Sequence, residues 1–130
     1  MTIFALSTGT VKSGIAIIRV SGEETKNIVK NLTKLSELVP RKATLCNFYS
    51  VDNKELIDKG IIIWFPGPNS FTGEDLVELH VHGSKAVVSA LLFTLSKFEN
   101  CRLAEPGEFT KLAFQNGKIN LLKAESIADL

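Results

Sequence analysis

Leu76-Val77-Glu78-Leu79-His80-Val81-His82, with Gly83 directly after it, alternates apolar and polar side chains without a break. An extended strand has a side-chain period of two, so Val77, Leu79 and Val81 line one face while Glu78, His80 and His82 line the other. Beyond Gly83 the period changes. Val87, Val88, Leu91, Leu92 and Leu95 recur at helical spacing and predict a helix over about 84–97. A strand that runs directly into a helix is the grammar of a domain mixing the two.

On the amino-terminal side of that strand, Pro66-Gly67-Pro68-Asn69-Ser70 cannot hold regular pairing, because two prolines lack an N–H donor, and it reads as an ordered loop. Before it, residues 43–51 and 57–65 are predicted strands, joined as a hairpin by Asp52-Asn53-Lys54-Glu55. Residues 2–6 and 15–20 give two more strands separated by a polar loop. Ser21 and Glu24 have capping-box spacing, with Ile28, Val29 and Leu32 following, so a helix is expected from about residue 22. On the carboxy-terminal side, Pro106 is placed to open a helix with Phe109, Leu112, Ala113 and Phe114 on its apolar side, and Asn116-Gly117 is a left-handed stop. Residues 121–130 are expected to start another helix. Its apolar pattern is still running at Ile127 and Leu130, which predicts the front piece of a longer chain.

Composition sets the frame. The 130 residues are 45% hydrophobic and 22% charged, near the averages of a folded domain. Fifteen Lys and Arg against fourteen Asp and Glu leave a formal charge of +1, which argues against a domain devoted to gripping a nucleic-acid backbone. A local stripe remains: Lys26, Lys30 and Lys34 fall on one helix face, either as its solvated side or as phosphate contacts. No apolar run is long enough to cross a bilayer and no signal-peptide pattern opens the chain, so no membrane role is expected. Cys46 and Cys101 are too few for a zinc knuckle or a disulfide framework and read as packed thiols. Arg102 beside Cys101 would favour its thiolate.

Candidate chemistry gathers on the polar face of the alternating strand. Glu78, His80 and His82 suit a metal, a proton-transfer site, a ligand contact or a half-buried polar face, and no third histidine exists to close a metal site. Arg19 shares a strand side with Ile15 and Ile17, where it snorkels or pairs with a carboxylate or a planar ligand. Lys118 follows the helix stop, facing a pocket or solvent. Gly117-Lys118 lacks both the glycine five residues earlier and the Ser or Thr after the lysine of a phosphate-binding P-loop. No dinucleotide-binding glycine motif and no serine-hydrolase elbow appears.

Taken together, residues 2–8, 14–22, 65–83 and 103–110, continuing through Phe114-Gln115-Asn116-Gly117-Lys118 and residues 124–130, resemble the amino-terminal domain of the MnmE (TrmE) tRNA-modification GTPases over nearly the whole chain. The resemblance implies an α+β fold, a mixed β-sheet packed with helices, like the tetrahydrofolate-binding domain of the glycine-cleavage aminomethyltransferase. It implies a folate-binding and dimerisation domain over 1–118, with 119–130 as the start of a helical domain. The family's folate-contacting arginine, glutamate and lysine fall on Arg19, Glu78 and Lys118, with His80 and His82 as supporting pocket residues. The ligand implied is 5-formyltetrahydrofolate or 5,10-methylenetetrahydrofolate.

In the whole family protein, GTP, magnesium and potassium belong to an inserted GTPase domain absent from these residues, so catalysis is not expected of residues 1–130 alone. The implied partners are a second copy of the chain, the flavoprotein MnmG (GidA), and tRNA, modified at carbon 5 of the wobble uridine. The implied location is the cytoplasm, or the mitochondrial matrix for a eukaryotic source. Two positions depart from the family pattern: Ser84 replaces a common glycine, and Gly9-Thr10-Val11-Lys12-Ser13 is less glycine-rich. Two other readings compete. One is a metal-dependent enzyme built on His80 and His82. The other is a purely structural dimer module with a decayed site, which would have no reason to keep Glu78 on a polar strand face.

Overall fold

Strand and helix form where the sequence alternates at period two and at helical spacing. The elements in chain order are β1 (Thr2–Leu6), β2 (Ile15–Ser21), α1 (Thr25–Thr33), β3 (Thr44–Tyr49), β4 (Leu56–Phe65), β5 (Leu76–His82), α2 (Lys85–Leu95), β6 (Cys101–Leu103) and α3 (Glu108–Gln115). They are taken from a computed structural model that describes residues 1–8, 14–52 and 54–119. The expected helix over 121–130 and the loop at 9–13 lie outside the described residues. The class is the α+β one expected. A six-stranded mixed sheet runs β3-β4-β5-β2-β1-β6, antiparallel at every junction except β1 with β6, which is parallel.

The alternating strand β5 lies inside this sheet, between β4 and β2. Its apolar side, Val77, Leu79 and Val81, packs with Ile18 and Val20 of β2, Ile62 and Trp64 of β4, Phe48 of β3 and Phe4 of β1. Ile28, Val29 and Leu32 of α1 and Val88, Leu91 and Leu95 of α2 complete the same core, so both helices cover one face. Each large side chain fully withdrawn from water there contributes about 1.5–3 kcal/mol. Among the described residues no helix is long and apolar enough to cross a membrane.

Three element ends differ from the sequence reading. Helix α1 begins at Thr25, with Glu24 as a cap that makes no side-chain bond. The capping box fails because the Ser21 hydroxyl is taken elsewhere, 2.7 Å from Thr72 Oγ1 and 3.3 Å from Glu74 Oε1. Between them Gly22 turns at φ +136°, where a Cβ would stand 2.7 Å from Thr2 Cα. That close passage lets the Glu24 N–H donate to Thr2 Oγ1 at 2.8 Å. Helix α3 begins two residues after Pro106, capped by Gly107 at φ +76°. Strand β6 was not expected: three residues are too short to show alternation, and its pairing with Thr2, Ile3 and Phe4 comes from a hundred residues away. Ser84, the departure from the family glycine, caps α2 by accepting a bond from the Val87 N–H at 3.1 Å.

Candidate functional site

The register of β2 against β5 sets Arg19 directly opposite Glu78, Ile17 opposite His80 and Ile15 opposite His82. All six lie on the sheet face away from α1 and α2. Arg19 donates from Nε to Glu78 Oε2 at 3.2 Å, and His80 Nε2 shares a 3.0 Å hydrogen bond with Glu78 Oε1. The Glu78 side chain keeps 17% of its surface exposed, Arg19 28% and His80 23%. Two of a carboxylate's roughly four acceptor positions are therefore used, as is one of the five guanidinium donors. A partly exposed carboxylate held rigid by two partners, with acceptors to spare, suits a ligand that presents paired N–H donors.

The loop between β4 and β5 closes over Arg19. Its guanidinium stands 5.3 Å from the centre of the Phe71 ring, an attraction of about 0.5–1 kcal/mol at a partly exposed position. Phe109 and Thr110 of α3 line the same small cleft as Phe71, Arg19 and Ala5. The loop is tied down from several sides. Gly67 N–H donates to Asp75 Oδ1, Thr72 is fully buried against Ser21, and Asn116 Nδ2 donates to Thr72 O at 2.7 Å.

That last bond brings Lys118 into the neighbourhood. The end of α3 closes as a Schellman motif: Gly117 at φ +72° bonds Phe114 O, and the Lys118 N–H bonds Ala113 O at 2.8 Å. Lys118 thus follows α3, two residues past Asn116, whose side chain bonds the loop that holds Phe71, and its own side chain is exposed. Arg19 and Glu78 are in direct contact, whereas the Lys118 side chain makes no hydrogen bond or ion pair with either among the described residues.

His82 shares the strand side with Glu78 and His80 but not their contacts. Its ring Nδ1 lies 2.9 Å from Asp58 Oδ1, its N–H donates to Asp58 Oδ2, and its side chain is 73% exposed. Burial works to raise the Asp58 pKa, yet the bonds from His82 outweigh it and hold the carboxylate below its ordinary range. The two histidines thus belong to separate pairs. Among the described residues no group of three or more His, Cys, Asp and Glu side chains is placed to hold a metal ion. Cys101 is the packed thiol expected, and the alternative of a thiolate favoured by Arg102 falls: burial, aided by the Glu24 carboxylate, pushes the thiol up to about 11. Arg102 turns to Glu108, donating to Oε2 at 2.6 Å and to Oε1 at 2.8 Å.

Phe71, Phe109 and Asn116 were missed as site residues by sequence reasoning. Phe71 and Phe109 lie within the motifs that carry the resemblance, but nothing in a lone phenylalanine reveals that a loop and a helix will fold it over an arginine.

The open face also carries apolar side chains. Through successive strand pairings Leu45, Ile61, His80 and Ile17 form one row across β3, β4, β5 and β2. Leu45 is 64% exposed, Ile61 37% and nearby Ile15 57%. The cleft under Phe71 has a volume of about 30 Å³, room for a water molecule rather than a bicyclic ring. A larger planar ligand at Glu78 and Arg19 would have to lie along the open face.

Fold and site together define an α+β sheet domain with α1 and α2 on one face and, on the other, α3 beside an exposed patch that is part charged and part apolar. The chain belongs to the family described as GTP-binding protein TrmE N-terminus, whose model matches residues 2–118. It is 65% identical over 130 residues to the tRNA modification GTPase MnmE of Pelagibacter ubique (strain HTCC1062), covering 100% of this chain and 29% of that protein. It is 54% identical over 129 residues to the protein of the same name from Rhodopseudomonas palustris (strain ATCC BAA-98 / CGA009), covering 99% and 29%. Against the tRNA modification GTPase gtpbp3, mitochondrial, of Dictyostelium discoideum the identity is 48% over 135 residues, covering 99% and 26%. The chain spans less than a third of the length of these relatives.

Proposed function

We propose that this chain is the reduced-folate-binding and dimerisation module of a tRNA modification GTPase, with a folate site like that of the glycine-cleavage aminomethyltransferase. The observation that carries the reading is the Glu78 carboxylate, set between Arg19 and His80 on an open face that also exposes Leu45, Ile61 and Ile15. Glu78 accepts hydrogen bonds from the donor edge of a pterin ring. Arg19, steadied by Phe71, holds that carboxylate in place and keeps further N–H donors for the ring's acceptors. Lys118, anchored by the Schellman motif, meets the carboxylates of the glutamyl tail. His80 supports Glu78 from within the strand, and His82 serves at the rim. When bound, 5-formyltetrahydrofolate or 5,10-methylenetetrahydrofolate supplies a one-carbon unit, and these residues bind and orient it.

A ligand lying on an open sheet face needs a cover. The exposed side chains of Leu45, Ile61 and Ile15 beside the site fit a second copy of the chain, which would bury apolar surface and exclude water from the folate in one step. In the whole protein, GTP hydrolysis with its magnesium and potassium belongs to the length of the relatives that this chain does not span. The complex with the flavoprotein MnmG modifies carbon 5 of the tRNA wobble uridine, in the cytoplasm or, for a mitochondrial relative, the matrix.

The test is complementation. In cells lacking the protein, the full-length form carrying Arg19→Ala and Glu78→Ala should leave the wobble uridine unmodified by mass spectrometry, although the purified variant hydrolyses GTP at the wild-type rate. Wild-type modification by the double variant would overturn the reading.

A further inference from the structure

The charge of the chain is unevenly placed. Residues 25–42 carry five cationic side chains against one carboxylate, whereas the remainder holds ten against thirteen. Three of the five, Lys26, Lys30 and Lys34, follow one another at four-residue steps along α1 and its end, all exposed. Successive members are about 6 Å apart along the axis. No salt bridge to any of them occurs among the described residues; the ion pairs there involve Arg19, His80, His82 and Arg102. Lys34 is further steadied with its ammonium 4.3 Å from the centre of the Tyr49 ring.

An ordinary solvated helix face has no concavity beside it. Here Lys26 and Lys30 form one rim of a groove of about 480 Å³, with Leu35, Leu38 and Trp64 as its apolar floor and Glu37 as the one acid on its lining. Arg41 stands next to the same floor. Its N–H donates to Trp64 O at 2.8 Å and its guanidinium is tied to Asn69 O at 2.8 Å, so its position is fixed. The groove is formed by α1, on the helix-covered side of the sheet, and shares no residue with the Arg19 and Glu78 site. It is large enough for one nucleotide unit, with phosphates at the lysine rim and sugar or base on the apolar floor.

We infer that the lysine row of Lys26 and Lys30 at the groove's rim, continued by Lys34 beyond it, is the surface by which this domain contacts the phosphate backbone of the tRNA. The inference rests on the tRNA-modification reading above and adds to it the place where the substrate lies. The match is one of charge. A row of ammonium groups at regular spacing, none in an ion pair among the described residues, fits a polyanion whose charges also repeat, and binding releases the counterions condensed on it.

The test uses the full-length protein, alone and with its flavoprotein partner, and an unmodified transcript of a tRNA bearing a wobble uridine. The variant combines Lys26→Gln, Lys30→Gln and Lys34→Asn; asparagine suits the left-handed backbone at position 34, where φ is +63°. Dissociation constants are measured from about 50 to 200 mM salt. The variant should bind roughly tenfold or more weakly at low salt, with a log–log salt slope shallower by about 2, since each phosphate contact contributes about 0.7–0.9. Its thermal unfolding and folate affinity should match the wild type. A control with Lys59→Gln, Lys85→Gln and Lys97→Gln removes the same charge elsewhere and should bind as the wild type does. Equal affinity and slope in wild type and rim variant overturn the inference alone. An equal loss in the control overturns it in favour of net charge. Retained tRNA binding with lost binding to anionic phospholipid vesicles assigns the rim to a membrane and overturns it. A wild type that binds no tRNA in either form overturns both the inference and the reading it rests on.

Discussion

Glu78 is met by Arg19 from the neighbouring strand and by His80 from two residues along its own. Neither partner is accidental. The antiparallel register brings Arg19 opposite, and the strand period puts His80 on the same side. Such a carboxylate is oriented before any ligand arrives, and preorganisation of this kind lowers the entropy lost on binding. Two other carboxylates contribute to acid stability. The Arg102 guanidinium bonded to Glu108 holds that carboxyl below its ordinary value of 4.5, and Asp58, bonded by His82, lies below 3.8. In both cases the unfolded chain takes up protons first as pH falls, so the stabilisation is complete above the ordinary carboxylate range and is lost on acidification through it. Thermal unfolding midpoints measured from about pH 6 to about pH 3 should therefore decline below about pH 4.5, and Glu108→Gln should flatten that decline. An identical acid profile for Glu108→Gln would show that the Arg102 pair has no part in it.

At the scale of elements, the end of α3 is where the proposed role of Lys118 meets the packing. Gly117 adopts φ +72° with open space where a Cβ would be, so Gly117→Ala costs only the left-handed backbone, about 1 kcal/mol. The expected result is a fall of a few degrees in Tm for a domain of this size, with a larger relative loss of folate affinity because Lys118 is displaced. Unchanged affinity would mean that Lys118 takes no part. Elements of this kind differ in how plainly the sequence shows them. The β5 alternation and the α2 spacing are periodic over seven or more residues, and both elements formed where expected. The start of α1 was misread because Ser21 and Glu24 have capping spacing, while the Ser21 hydroxyl is claimed by Thr72 from fifty residues away. β6 has too few residues for a pattern. The approach of Glu78 to His80 followed from strand period alone, but Asp58 with His82 and Phe71 over Arg19 depend on register and loop closure, which no local pattern encodes.

For the molecule as a whole, one sheet face carries the main core and the other stays largely open, with α3 beside Arg19 and Ala5. Helices α1 and α2 seal the first with Val88, Leu91, Ile28 and Leu32. The second keeps Leu45, Ile61 and Ile15 in water around a charged island, an arrangement that is unfavourable unless another surface covers it. Ile61→Glu should therefore shift sedimentation from dimer to monomer with little change in the unfolding midpoint of the isolated fold, and a dimer that persists would move the interface elsewhere. The account stands most directly on folate recognition by Glu78. Calorimetric titration of the wild-type protein with 5-formyltetrahydrofolate, beside Glu78→Gln, measures it. Loss of the charge-assisted bonds, each about 1.5–3 kcal/mol, should weaken binding by roughly 10- to 150-fold. Saturable wild-type binding with that loss is the predicted result; equal affinity in the two proteins, or a folded dimeric wild type that binds no folate, would contradict it.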